Sequence, residues 1–305
     1  LRVCLFLEHT KLRRTEASVG SGSYDPVLTA ELKAANPNQF KQLKGHTMNS
    51  EVLYSDVFGD SLLYAGMLVA VGDTEQQGYV DACIDSNGRI WRNVLAANRN
   101  TDYRNSNSRD MFIGALLGAS QLSKIRIARY LASNNGLLSP TASDNRNRVG
   151  VMGWAQLGLA LGKDATVAHM GLKGFILAKI FKPLLGFIAF VEAVTVYEPY
   201  QLNLVCCALM LFRKHGVDNY WTRETMRTLE NVRNQNDVVF LYLKGAKERV
   251  EGIAGTAADN RNSMLTLNKY GEAAGWPPSS GGHFAHIYPS AVYVRWSEMA
   301  FKNMK

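Results

Sequence analysis

The chain has 305 residues and a formal net charge of +8; 47% of its residues are hydrophobic and 20% are charged. That balance excludes wholesale disorder, a collagen-like repeat and a block-charged tail, and the length suffices for one large domain or two small ones. A basic surface suits an acidic partner such as a uronate-rich glycan, nucleic acid or anionic lipid, and equally suits simple solubility. No nucleic-acid-binding motif is visible, and the densest basic cluster is only Lys11, Arg13 and Arg14. Four cysteines make no disulfide framework in a chain this long. Adjacent Cys206 and Cys207 read as small buried apolar residues, which together with isolated Cys4 and Cys83 points to folding in a reducing compartment such as the cytoplasm. Leu1–Leu7 is too short and too soon followed by charges to read as a signal peptide.

Residues 1–50 read as an irregular N-terminal arm, with a Gly/Ser loop at Gly20–Tyr24, turns at Asp25-Pro26 and Asn36-Pro37, and a short helix near Val27–Ala35. From residue 51 to 305 the pattern is that of one helical domain. Gly59–Ala70 opens on an acid and is apolar on most faces, which predicts a buried helix. Gln76–Ile90 forms a second segment, closed by the Asn87-Gly88 turn. The polar stretch Asn98–Asp110 leads into one apolar helix over Met111–Leu131, with Gly114 and Gly118 allowing close packing. Another polar loop, Ser143–Arg148, precedes a helix through Leu161. Helices then follow at Ala165–Phe181, Leu184–Val196 and Pro199–His215, with one long helix or two over Thr222–Gly252. Ala258–Ser263 introduces a helix to Ala274, Trp276–Gly282 is a Gly/Pro/Ser loop, and a last helix begins near Pro289. No region is rich in strands. Gly171–Val196 is apolar enough to raise the question of a membrane span, but Lys173, Lys179, Lys182 and Pro183 interrupt it, and two short core helices broken at Pro183 fit better. About eleven or twelve helices joined by polar loops suggest antiparallel helical pairs.

Two stretches of this pattern carry a resemblance. Gly-Asp-Ser-Leu-Leu-Tyr-Ala-Gly-Met at 59–67 and Ser-Arg-Asp-Met-Phe-Ile-Gly-Ala-Leu-Leu at 108–117 resemble the (α/α)-toroid glycosidase-type proteins, in which a Gly-Asp-x-x-Leu-x-x-Gly helix is followed by one headed by Arg-Asp. Similar Ser-Arg-Asp-Met pairs occur in uncharacterised bacteriophage proteins, some of them virion- or tail-associated. The similarity covers roughly residues 55–130 well, and the remainder only by helix count. It implies an all-α fold, an (α/α)6 toroid-like array of antiparallel hairpins, with a cleft formed by the loops before the inner helices. About 50 residues per hairpin is consistent with the length.

Glycoside hydrolysis usually needs two carboxyl groups, about 6.5–9.5 Å apart in inverting enzymes and about 5–5.5 Å in retaining ones. The acids at loop-to-helix junctions are Asp60, Asp102, Asp110, Asp144 and Asp259. Asp60 and Asp110 are the best pair because both lie in the family-like motifs. Each equally suits a helix cap that accepts backbone N–H groups. The echoed Asp-Asn-Arg-Asn runs at Asp144 and Asp259 bring in Arg146 and Arg261, which with Arg109 suit bidentate binding of an acidic sugar or structural ion pairs. Trp276, in a loop rich in Gly and Pro, suits stacking on a sugar face as well as anchoring its own loop. His283 and His286 suit acid/base work near neutrality, and no Cys or carboxylate lies close enough in sequence to complete a zinc site with them. Tyr103 beside Arg104 suits the lyase alternative, in which a base acts while an arginine neutralises a uronate.

No P-loop, dinucleotide fingerprint, nucleophile elbow or EF-hand is present, and no cofactor is implied. The reading that results is a carbohydrate-active protein, a glycoside hydrolase or polysaccharide lyase acting on a bacterial surface polysaccharide. The alternative is a non-enzymatic virion or assembly subunit that docks on its own copies or on other subunits.

Overall fold

The computed structural model describes residues 61–92, 94, 109–139, 148–195, 199–232, 238–248, 250, 296 and 299–304. The described residues are all-α: their helices are α1 Ser61–Ala70, α2 Gln77–Ala82, α3 Arg109–Gly118, α4 Gln121–Ser133, α5 Val151–Leu161, α6 Val167–Phe181, α7 Phe187–Thr195, α8 Pro199–Lys214, α9 Tyr220–Val232 and α10 Val238–Lys244. Trp296 and residues 299–303 are helical too. The only β-type contacts among them are isolated bridges, Ile84 with Ile90 and Leu137 with Arg148. The arm at 1–50, with its expected helix near Val27–Ala35, lies outside the described residues.

The most extensively packed helix pair is α1 with α3. Both helices are apolar nearly all round, so neither has a face for water, and Leu62, Leu63, Met67, Leu68, Met111, Leu116 and Leu117 are all buried. Glycines let the two backbones touch. A Cβ on Gly66 would lie 2.0 Å from the carbonyl oxygen of Gly114, one on Gly114 would lie 2.5 Å from Leu63 Cα, and one on Gly118 would lie 2.8 Å from Gly66 Cα. Residue numbers rise together along both helices, so α1 and α3 run in the same direction.

Other central helices share that direction. Met67 Sδ and Cys207 Sγ are 3.5 Å apart, and Ala70 and Met210 line one small cavity, so α8 runs with α1. Gly153 faces Phe112 near the starts of α5 and α3, while Gln121 Nε2, just past α3, donates to Leu161 O at the end of α5. The last turns of α8 and α10 meet where Arg213 donates to the carbonyls of Tyr242 and Leu243. Trp296 Nε1 donates to Met67 O at 3.2 Å and Asn303 Nδ2 to Val71 O at 3.0 Å, which lays the C-terminal helical residues along α1.

Three expectations change in detail. The segment expected at Gln76–Ile90 is helical only to Ala82. Asp85 then folds a tight loop, its Oδ1 accepting from the backbone N–H groups of Asn87 and Arg89 and its Oδ2 from Trp91 Nε1. The single helix expected at Met111–Leu131 is two, because Ser120 leaves the helical conformation and its side chain caps α4 by accepting from Ser123 N–H. The strictly antiparallel pairing fails at α6. Gly174 meets Trp154 and Gly158 meets Ala178, so the body of α6 runs with α5, after a kink at Gly171 where φ is +64°.

The stretch at 171–196 breaks where expected, at a short turn containing Pro183. No single helix among the described residues is long and apolar enough to cross a membrane; α6 with its following turn and α7 form a pair bent by 66°. The expectation that both are core helices is corrected, since Leu172, Ile176 and Ile180 of α6 face outward. Cys206 and Cys207 are buried as expected and, like Cys83, are not in disulfides.

Gly66→Ala and Gly114→Ala each drive a methyl group into backbone that cannot swing away. Each is expected to lower stability by about 1–3 kcal/mol or more, where a helix-interior Gly→Ala without such contact stabilises by about 0.4–1 kcal/mol. Chemical denaturation of the two variants checks the sign.

Candidate functional site

Because the central helices run in one direction, their N-terminal ends lie on one side and their C-terminal ends on the other. Each peptide dipole adds to a positive N-terminal and a negative C-terminal pole, so the two ends want opposite charges. The side chains answer that demand.

At the N-terminal end, Arg109 and Asp110 open α3. Asp110 is half-buried in the first turn, where free backbone N–H groups favour an acid. The second acid of this end is Glu192. It sits near the end of α7, the helix that leads into the start of α8, and it is half-buried on a helix whose other residues are apolar or Thr195. Burial pushes the Glu192 carboxyl above the usual range for a glutamate, and the Arg109 guanidinium opposes that push. The arrangement is a carboxyl group whose hold on its proton is strengthened by desolvation, an arginine close enough to act on it, and an aspartate beside that arginine in the chain.

At the C-terminal end the charges are basic. Lys214 Nζ donates to Leu117 O at 2.7 Å, satisfying a carbonyl that α3 leaves free, and Arg213 donates to the carbonyls of Tyr242 and Leu243 in the last turn of α10, the first of which also accepts from Gly245 N–H. Arg213 and Lys214 also line, with Ala70, Met210 and Tyr242, a cavity of about 140 Å³. Lys124 projects into this neighbourhood from α4 and is only 6% exposed. Burial, and then the charge of Lys214, bring its ammonium down to about 8, with Asp81 opposing. Desolvation lowers Lys214 as well, and lowers His215, on which Lys124 and Lys214 also act. The Nε2 of His215 is buried without a hydrogen-bond partner.

Of the residues expected from sequence to form a site, Arg109 and Asp110 are described, and they stand together at one end. Asp60, Tyr103, Asp144, Arg146, Asp259, Arg261, Trp276, His283 and His286 lie outside the described residues, as does Cys4. Among the described residues no three His, Cys, Asp or Glu side chains group as metal ligands. Sequence reasoning missed Glu192 and Lys124. Glu192 had a signal, being the one acid in Phe-Ile-Ala-Phe-Val-Glu-Ala-Val-Thr. Lys124 had one too, since it shares the buried register of Ile127, Ala128 and Leu131.

No protein-family profile, curated protein or solved structure matches the chain. The functional reading therefore rests on these side chains.

The basic cluster generates a stability test. In the fold Lys124 loses its proton near pH 8, whereas in the unfolded chain a lysine holds it to about 10.4. Between those values the unfolded state binds more protons, so stability rises with pH across that window. Lys124→Met, which keeps the apolar stem, is expected to raise stability near neutral pH by roughly 1–3 kcal/mol and to flatten that rise. Thermal melts across the window check both, and an NMR titration should show His215 moving up towards its ordinary range.

Proposed function

We propose that this chain is a carbohydrate-active protein of the glycoside-hydrolase type, with an (α/α)6 toroid-like body, acting on a bacterial surface polysaccharide. Glu192 is the general acid and Asp110 its partner carboxylate. The observation that carries the proposal is the raised Glu192 carboxyl at the same end of the helices as Arg109 and Asp110. Glu192 protonates the leaving glycosidic oxygen, and Asp110 activates water or attacks the anomeric carbon. Arg109 steadies the ionised form of Glu192 once the proton has left, and it suits the carboxylate of an acidic sugar. Asp60 adjoins the first residue of α1 in the chain and stays the alternative partner.

The toroid draws support from helix direction. Helices α1, α3 and α5, then α8, run one way, α10 ends beside α8, and the C-terminal helical residues lie along α1, as the inner ring of a closed toroid requires. The residues that precede α3 and α5 in the sequence are the polar stretches singled out there. The departure is α6, which runs with α5 and so adds a helix to the simple alternation.

The test is incubation of the chain with neutral and acidic bacterial polysaccharides, following new reducing ends together with the ultraviolet absorbance of unsaturated uronates. Reducing ends without absorbance are the expected result. Both signals together replace hydrolysis with lyase chemistry, and silence from a folded chain across the panel favours the virion-subunit reading. On an active substrate, Glu192→Gln should lower kcat by about 10²–10⁴-fold with little change in melting temperature. Arg109→Gln removes the charge that holds Glu192 down, so the alkaline limb of the kcat/KM profile should move to higher pH.

A further inference from the structure

Helix α6 carries an apolar stripe that is left exposed among the described residues. Leu172, Ile176 and Ile180 follow one another at four-residue steps and are 65%, 44% and 59% exposed, and Leu184 in the next turn is 40% exposed. The opposite side of the helix is the one that packs, through Gly174 against Trp154 and Ala178 against Gly158. Lysines border the stripe. Lys173 stands on one flank, its Nζ 3.4 Å from Asn135 Oδ1, and Lys179 on the other, over the ring of Phe175. Lys182 is exposed at the end, beside Pro183. No acidic residue occurs between Asp164 and Glu192.

We propose that this face of α6 docks on an anionic lipid surface, with Leu172, Ile176, Ile180 and Leu184 entering the acyl boundary and Lys173, Lys179 and Lys182 reaching the phosphate headgroups. A helix lying in the plane of the interface presents this pattern: aliphatic side chains on one arc, and lysines on its borders whose stems lie along the apolar layer while their ammonium groups stay in the headgroup layer. The three lysines and the 66° bend between α6 and α7 suit a helix lying on the surface. Two alternatives fit less well. A second copy seated through the same stripe brings the same lysines against each other with no acid in the segment to offset them. A protein groove is met elsewhere by Trp, Tyr and Arg anchors with lysine depleted, and this stripe has lysines and none of those anchors.

Flotation of the full chain with vesicles tests the proposal. The vesicles are phosphatidylcholine alone, and phosphatidylcholine mixed with phosphatidylglycerol. Binding is expected to the mixed vesicles and to fall with added salt. Ile176→Ser combined with Ile180→Ser should weaken it by more than about tenfold. Lys173→Glu and Lys179→Glu should each weaken it by at least about fivefold. Leu122→Ser, which removes an equally exposed leucine from α4, should leave it unchanged. All the substituted side chains are exposed, and circular dichroism confirms that each variant is folded. No flotation with either vesicle overturns the proposal, as does flotation that the double variant retains. Concentration-dependent self-association that the double variant abolishes, without flotation, assigns the face to a second copy instead.

Discussion

The contact of backbone on backbone at Gly66, Gly114 and Gly118 is the constraint from which the rest of the molecule follows. At that separation no side chain lies between the two helices, so neither can slide or turn without a clash. The pair sets a direction, and the helices that pack on it adopt the same one. Parallel helices are electrostatically awkward neighbours, because their dipoles stack like poles together. In antiparallel bundles the dipoles cancel; here side chains must answer them. The acids of α3 and α7 stand at the positive end, and Lys214 and Arg213 donate to last-turn carbonyls at the negative end. The polarity of the candidate site is thus a property of the helix arrangement as much as of the residues that line it.

The same arrangement explains why the two perturbed groups at opposite ends have different characters. Glu192 lies on an apolar helix with one arginine acting on it, so desolvation dominates and the acid form is favoured. Lys124 lies among like charges, so desolvation and repulsion work in the same sense and the neutral amine is favoured. A buried lysine brought down to about 8 costs stability, and Asp81 opposes that loss less than burial and Lys214 cause it. Its presence in an otherwise apolar register is a local conflict of the kind that marks functional or strained positions.

Much of the fold was legible because helix starts and apolar runs are local. The apolar run of α1, the Arg-Asp of α3 and the apolar runs of α5 and α8 marked real helices. The Gly114 and Gly118 pair pointed to close packing, as the contact with Gly66 bears out. The break between α3 and α4 had a signal in the polar run Ser120-Gln121-Leu122-Ser123-Lys124, but it was missed because apolar residues resume at helical spacing on its far side, and only the packed structure shows Ser120 as a cap. The reversal at Gly171 was missed because nothing local distinguishes a kinked glycine from a packing glycine such as Gly174. Of the site, Arg109 and Asp110 were visible as the head of a helix. Glu192 was hidden, since its significance comes from a residue 83 positions earlier in the chain whose proximity only helix packing creates.

The hydrogen bond from Trp296 to the carbonyl of Met67 spans 229 residues. Trp296 is wholly buried there, beside Tyr242, and so covers part of α1 that no earlier residue of the described structure covers in its place. Until residue 296 has been synthesised, α1 lacks this partner, and the apolar surface that the indole covers stays open. The loop-closure entropy for such a pairing is met only after the helices in between have organised, which makes it a late step in folding. A chain without Trp296 would lose this buried indole and its hydrogen bond to Met67, and the apolar surface it covers would be open to chaperones and proteases.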